Sequence, residues 1–356
     1  MGDDEWAIRP RFFQDKAMSL PIIGITMGDP VGIGPEIIVK ALVLRAVFAR
    51  CRPLVFGDAN VLKETIRVLG SPCNINLVGT TEETRGNPGT IDLIALSHID
   101  LHGFRFGTPK RPYAAHVIRY IETALSSAMD GRIAGITTCP INKGSLNDAG
   151  YSFTGHTEFL AERTHSPRVV MMMVAPGLKV ALVTTHCAVR DVPRLITREG
   201  IADTIRITHH ALRTSFGIAN PRIAVASLNP HAGEDGWFGQ EEKAVIIPAI
   251  DECRGSGLSI EGPLASDSLF YFAAGGTYDA VICMYHDQGL IPIKMVGFKR
   301  AVNVTLGLPV IRTSVDHGTA YDIAGRGTAD PSSLIEAIML ASEMAGTGPK
   351  DIDKPA

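Results

Sequence analysis

Three observations predict an α/β protein. Short β-branched runs (PIIGITM from Pro21, PLVFG from Pro53, RIAGITT from Arg132) alternate with stretches of helical period (PEIIVKALVLRAV from Pro35, NVLKETIRVLG from Asn60, YAAHVIRYIETALSSAM from Tyr113). A second series then repeats the architecture: VVMMMVA and KVALVTT, the helix IADTIRITHHALRTSFG, RIAVASL, the helix EEKAVIIPAIDECRGSG, and DAVICMY. Finally, 356 residues with 45% hydrophobic and 20% charged side chains suffice for two ordinary cores. The 22 prolines and 36 glycines are spread evenly, so no linker marks a boundary. The expectation is a largely parallel sheet in two lobes, divided near residue 150, with the C-terminal stretch free to cross back into the first lobe.

Charge and cysteine usage narrow the classes. Lys and Arg number 34 against 37 Asp and Glu, a net charge of −3, which provides no broad positive field for a phosphate backbone; nucleic acid is not expected. Cys51, Cys73, Cys139, Cys187, Cys253 and Cys283 are scattered and read as reduced thiols in a cytoplasmic protein. The first twenty residues are charged and irregular, without the pattern of a signal peptide. They are read as a flexible extension, with Met18 as a candidate start after vector-derived or upstream residues. The strongest apolar run, from Val169, is broken by Pro176, Gly177 and Lys179 and is too short for a membrane span. A soluble protein is expected.

Polar motifs that follow strands carry the chemistry, because ligands in open α/β sheets collect at the C-terminal strand edge. His186, His231 and His286 stand directly after KVALVTT, RIAVASLNP and DAVICMY. Side by side in a sheet they could converge and hold Zn, Co, Mn or Fe with a position open to substrate oxygen. The alternative is three unrelated histidines bonded to carbonyls or water, and their separations match no short metal motif. Asp267 and Asp287 are candidates to add an oxygen ligand or orient an imidazole.

An anion site is the second constellation. GYSFTGHTEFLAE places Gly155, His156 and Thr157 just before a helical run, where unpaired N–H groups and the dipole attract phosphate. A plain helix cap is the competing reading. Lys294, Asn303 and Arg312 add two cations and an amide within twenty residues, although any one of them alone reads more readily as a solvated side chain. GDPVGIGPE from Gly28 is not a GxGxxG fingerprint and is weak as a nucleotide motif. SVDHGTAYDIAGRGTAD from Ser314 is dense in polar atoms and could wrap a polar cofactor or form a tight structural turn.

Taken together, TMGDPVGIGPE, PINK (Pro140 to Lys143), GHTEFLA, TTH, NPHAGE, MYHDQG, LPVIRTSVDHGTA and DIAG resemble the 4-hydroxythreonine-4-phosphate dehydrogenase family of vitamin B6 synthesis from about Ile22 to Ala341. The resemblance implies two α/β/α lobes similar to isocitrate and isopropylmalate dehydrogenase, with the active site in the interlobe cleft. Residues 21–150 and about 305–350 would form the first lobe, and 151–304 the second lobe with the metal histidines and dimer contacts. An obligate homodimer would complete the site. By that resemblance His186, His231 and His286 bind one divalent metal (Zn, Co, Mn or Mg), one of them from the partner subunit. His156, Thr157, Lys294, Asn303 and Arg312 bind the phosphorylated substrate. NAD or NADP would lie along the 307–325 region, at Gly307, Ser314, Asp316, His317, Gly318, Thr319 and Asp322. The implied reaction oxidises the C3 hydroxyl of 4-phosphohydroxy-L-threonine and decarboxylates the β-keto acid to 3-amino-2-oxopropyl phosphate. Asp287, Asp267 and Lys143 are the candidates for proton transfer or orientation of the metal shell.

Two departures bear on substrate. Cys139 stands before PINK where the family has a small residue, and HCAV follows at His186 in place of HLPL or HIAL. FARCRPLVFGD and GTIDLIALSHIDL resemble the branch that oxidises 4-phospho-D-threonate or 4-phospho-D-erythronate in sugar-acid catabolism, which is the alternative reading. A branch acting on aromatic cis-dihydrodiols lacks the GHTE motif kept here and ranks third. A non-catalytic binding protein for a phosphorylated metabolite is the reading from a different class.

Overall fold

The computed structural model describes residues 20–151 and 155–347, so the expected N-terminal extension, Met18 included, lies outside the described residues except for Leu20. Among these residues twelve strands form one sheet. They are β1 (Ile22–Thr26), β2 (Arg52–Asp58), β3 (Asn74–Leu77), β4 (Thr90–Ser97), β5 (Gly135–Thr138), β6 (Val170–Ala175), β7 (Leu178–Leu182), β8 (Ile223–Ala226), β9 (Ile260–Leu264), β10 (Ala280–Cys283), β11 (Val302–Leu306) and β12 (Arg312–Val315). Their spatial order is β3-β4-β2-β1-β5-β12-β11-β6-β7-β10-β8-β9. Strands β1, β5, β8, β10 and β12 are buried along their whole length; β1, β8 and β10 are the apolar runs expected of strands covered on both faces, whereas β5 and β12 bury polar side chains.

The sheet is parallel at both ends and antiparallel in the middle. Strands β3, β4, β2, β1, β5 and β12 run one way. Strands β7, β10, β8 and β9 are also mutually parallel. Between the two sets, β11 is antiparallel to β12 and to β6, and β6 to β7. Three reversals leave the two parallel sets running in opposite directions. The apolar run from Val169 is a hairpin rather than two strands of a crossover series: Ala175 faces Leu178 across Pro176 and Gly177, whose φ of 76° suits a tight turn.

Packing follows this division. One core gathers apolar side chains from Ile22 to Leu160 with Val315, Leu334, Ile338 and Ala341. Two others lie on opposite faces of the 170–306 strands, with Val170 and Met172 on one side and Met173 and Ala175 on the other. The helix Ser332–Thr347 packs on β12, β5 and β11, closing the seam between the two sets.

GDPVGIGPE is a structural turn that ties three loops together. Gly28 has φ 70°, and a Cβ there would lie 2.4 Å from the Pro140 carbonyl oxygen. The Asp29 amide donates to that oxygen at 2.9 Å, and Ile33 donates to the Thr319 carbonyl at 3.0 Å. Tyr321 donates its hydroxyl to Asp29 at 2.6 Å. Buried Glu36 accepts from Lys40 and from the Ala329 amide, each at 2.8 Å. All six cysteines are free thiols. Among the described residues no helix is long and apolar enough to cross a membrane.

Candidate active site

A cavity of 630 Å³ lies over one face of the central strands, where the sheet reverses polarity. Side chains two apart on a strand share a face, so Arg312 and Ser314 of β12, Asn303 of β11, Met171 of β6 and Leu182 of β7 form its floor. The helices His156–Arg163 and His286–Gly297 and the Cys139–Lys143 segment supply the walls. The expectation of a site at a single C-terminal strand edge is corrected in this respect. The opposed parallel sets put their C-terminal ends at opposite edges, and the cavity spans the face between them.

The anion-binding candidates meet here. Arg312 is only 2% exposed; its guanidinium donates to Thr305 Oγ1 at 2.9 Å and to Thr138 Oγ1 at 2.7 Å. Its Nε is buried without a partner, as are His156 Nε2 and Asn303 Oδ1. Burial draws the Arg312 guanidinium down to about 10, against an opposing pull from Glu158. Burial, Arg312 and Lys143 together hold the His156 imidazole well below its ordinary value. Thr157 Oγ1 stands 3.4 Å from Thr305 Oγ1, and Lys294 is ion-paired with Asp316. A buried arginine edge beside a neutral imidazole, both unsatisfied internally, is an arrangement completed by an anionic oxygen.

The His156 environment sets an acid sensitivity. Its folded pKa lies below the unfolded value of 6.5, so the unfolded chain binds the extra proton and stability falls as pH drops through 6.5 toward the folded value. The thermal midpoint of the ligand-free protein is expected to decline on acidification from about pH 7.5 to 5, and His156→Asn to flatten that decline. Differential scanning fluorimetry across buffers checks it; parallel curves for the two proteins would contradict it.

The three strand-end histidines do not all meet within one chain. His186 and His286 follow adjacent parallel strands, and their rings lie 5.6 Å apart. Burial, Lys143 and His286 lower the His186 pKa, with Glu158 opposing, so this imidazole keeps a free lone pair. His286 Nδ1 lies 2.7 Å from Asp287 Oδ1, which leaves Nε2 facing outward. His231 follows neighbouring β8 but is carried away on a left-handed turn. Residues His231 to Asp235 have φ between 43° and 81°, and the His231 side chain is 64% exposed, with Nδ1 3.0 Å from Glu234 Oε2. Left-handed backbone costs roughly 1–2 kcal/mol at each non-glycine residue, and four of these five are not glycine. Among the described residues, no group of three His, Cys, Asp or Glu of a single chain is placed to hold a metal. Convergence of all three histidines in one chain is thus corrected: the loop geometry brings together two.

Other candidates divide. Lys143 opens the helix Lys143–Asp148, which Asn142 caps by accepting from the Ser145 amide at 2.8 Å, and it lines the cavity. Asp287 borders a second cavity of 410 Å³ on the far side of His186 and His286, together with Cys187 and Tyr285. Asp267 is exposed in the first turn of the helix Ser266–Ala274, outside both cavities. Ser314, Asp316, His317 and Gly318 line the main cavity, and His317 Nε2 is buried without a partner. Burial raises the Asp316 pKa, against the pull of Lys294. Thr319 gives its carbonyl to the fold, Asp322 is exposed outside the lining, and Gly307 lies beyond the opposite end of β11, in a separate cavity with His165 and His210. Cys139 is fully buried in the main cavity wall.

Two residues escaped the sequence reading. Glu158 lines the cavity among its cations and shares the GHTE motif that suggested the phosphate site. Gln288 is buried behind His286; its carbonyl accepts from Met284 N at 2.6 Å and its amide donates to Ser227 O and Ser266 Oγ. Its place in MYHDQG, two residues past the histidine, was the available signal.

Comparison with known proteins identifies the family of the chain and relatives of its fold. A family model described as "Pyridoxal phosphate biosynthetic protein PdxA" matches residues 49–341. The chain is 52% identical to a 4-hydroxythreonine-4-phosphate dehydrogenase of Desulforapulum autotrophicum over 91% of its length and 96% of the relative's. It is 50% identical to a D-threonate 4-phosphate dehydrogenase of Cupriavidus necator, covering 92% of this chain and 98% of that one. A crystal structure of a 4-hydroxythreonine-4-phosphate dehydrogenase from Burkholderia phymatum superposes with a TM-score of 0.83 at 44% identity, covering 92% of this chain and 99% of the other.

Proposed function

The chain belongs to the PdxA family of pyridoxal phosphate biosynthetic proteins, and from that premise we propose that it oxidises the C3 hydroxyl of 4-phosphohydroxy-L-threonine with NAD or NADP, the β-keto acid then losing CO2 to give 3-amino-2-oxopropyl phosphate. The observation that carries this reading is the buried Arg312 edge and His156 Nε2, unsatisfied in the same cavity as the His186–His286 pair. Arg312, His156 and Thr157 take the substrate phosphate, with Asn303 and Lys294 beside them, and this grip fixes C3 against the histidines. Lys294 is held in place meanwhile by Asp316.

The residues suit one divalent ion (Zn, Co, Mn or Mg) held by His186, His286 and His231, the last from a second copy. His286 and His231 each have Nδ1 beside a carboxylate and Nε2 left as the ligand atom, the usual support of a metal-binding imidazole. When bound, that ion supplies Lewis-acid polarisation of the C3 hydroxyl and an electron sink for loss of CO2. NAD supplies the hydride acceptor, and Ser314, Asp316, His317 and Gly318 are the residues that would hold it. Lys143, in the cavity lining, is the candidate to exchange a proton with the substrate, and Asp287, bonded to His286 Nδ1, the candidate to orient that imidazole.

The enzyme acts as a homodimer in the cytoplasm on this reading; six free thiols suit a reducing compartment. Ile291 and Met295 lie on one face of the helix His286–Gly297, 59% and 82% exposed, with Phe298 following at 72%. Such an apolar stripe beside an incomplete metal site supports a second copy of the chain as its cover. Met295→Asp is expected to shift the protein from dimer to monomer in sedimentation velocity and to weaken metal binding with it. An unchanged dimer would remove this support.

One observation favours a second substrate. The Cupriavidus necator relative named for D-threonate 4-phosphate is nearly as similar as the first, and the two substrates differ at C2, amine against hydroxyl. NADH formation by the metal-replete protein is therefore measured with 4-phosphohydroxy-L-threonine, 4-phospho-D-threonate and 4-phospho-D-erythronate in parallel. Turnover of the first alone supports the proposal, preference for an acid replaces the substrate, and no turnover of any overturns the reading as an enzyme of these compounds.

A further inference from the structure

The left-handed turn that carries His231 is held from beneath by a single buried carboxylate. Glu242 is 2% exposed, and no basic side chain is paired with it among the described residues. Its Oε1 accepts from the Leu228 amide at 2.9 Å and the Asn229 amide at 2.7 Å, and its Oε2 accepts from Asn229 Nδ2 at 2.9 Å. These are the residues that lead from β8 into the turn. Farther along, Gly233 (φ 81°) lies directly against the same carboxylate, and a Cβ there would come within 2.7 Å of Oε2. Glu242 also opens a single π-helical turn, Glu242–Ile246, at the head of the helix Ile247–Gly255. Such turns are frequent at functional sites. Asn229 Nδ2 is shared with Glu241 Oε2 at 2.7 Å, a second tie at the entry that does not reach the middle of the turn. Gln240 bonds the Gly236 carbonyl at 3.0 Å, and the Lys243–Asp235 pair is solvent-exposed.

Five consecutive left-handed residues, four of them with side chains, do not persist on local preference. The backbone must be over-determined by its surroundings, and Glu242 is the group that touches both the entry and the middle of the turn. We propose that Glu242 is the positioning residue for His231: by gathering the Leu228 and Asn229 amides and seating Gly233, it fixes the direction in which the imidazole leaves its own chain toward a second copy. The inference rests on His231 as a metal ligand, and adds which buried group makes that possible.

Zinc affinity of the full-length dimer, measured by competition with a chromophoric chelator, tests it in a cycle of wild type, His231→Ala, Glu242→Ala and the double variant. Glu242→Ala is expected to weaken zinc binding about 10- to 100-fold, the usual cost of losing a group that orients a ligand. Glu242→Gln should weaken it less, because its carbonyl still accepts from both backbone amides and the Asn229 side chain, losing Glu242, keeps its bond to Glu241 Oε2. In the His231→Ala background either change should alter affinity by less than about threefold, since the orienting group then has nothing to orient. Dimer mass and circular dichroism should be the same in all of them. An equal weakening in both backgrounds would make Glu242 a general prop of the fold and overturn the inference alone. If Glu242→Ala does not fold, Glu242→Gln carries the same cycle. Zinc held as tightly by His231→Ala as by the wild type would overturn the metal reading of His231, and the inference with it.

Discussion

Arg312→Ala is expected to lower kcat/KM by roughly 30- to several thousandfold, with Arg312→Lys close behind. The guanidinium is buried in the cavity lining, spans Thr138 and Thr305 with two of its nitrogens and leaves its Nε without a partner. Alanine leaves two buried hydroxyls without their donor and removes the fixed charge opposite the substrate phosphate. Lysine cannot reproduce the fork, and an ammonium in this enclosed place sheds its proton more readily than guanidinium. The loss should shrink when a substrate lacking the phosphate is compared, because the phosphate is what Arg312 grips. Steady-state kinetics on both substrates decide it. A fall of less than about threefold, with the fold intact, would mean that the anion is held elsewhere.

His186→Ala and His286→Ala should each loosen divalent-metal binding by at least a hundredfold and abolish measurable turnover, while Asp287→Asn costs about 10- to 100-fold in affinity. The distinction follows from position. The two imidazole rings lie 5.6 Å apart, whereas the carboxylate, among the described residues, is bonded to His286 Nδ1. Titration of the metal-stripped protein with zinc measures all three. An Asp287→Asn effect as large as that of His286→Ala would instead make the carboxylate a direct ligand.

Much of the site was legible because its residues stand in polar motifs directly after apolar strands. His186, His286 and, after β5, Lys143 reached the cavity from such positions, whereas Arg312 and Ser314 reach it from within β12. One reading drifted because sequence order does not show strand direction. Gly307 and Ser314 are seven residues apart and read as one loop, yet Gly307 follows the C-terminal end of β11 whereas Ser314 lies within antiparallel β12, opposite Asn303 near the start of β11, and the two line different cavities. Thr319 and Asp322 have the composition of cofactor ligands, and the structure places them outside the cavity lining, Thr319 with its carbonyl bonded to Ile33 and Asp322 exposed. Asp267 had only its residue type to recommend it.

By itself the sequence determined the α/β class, the two series of strands and the short list of side chains capable of the chemistry, because hydrophobic period and residue type are local properties. Which of those side chains meet was decided by the tertiary structure. The central antiparallel strands turn one parallel set against the other and open a cavity over the sheet face. A left-handed turn held by Glu242 then takes the third histidine away from the two that converge. Both outcomes depend on contacts between residues far apart in the chain, which no local pattern encodes.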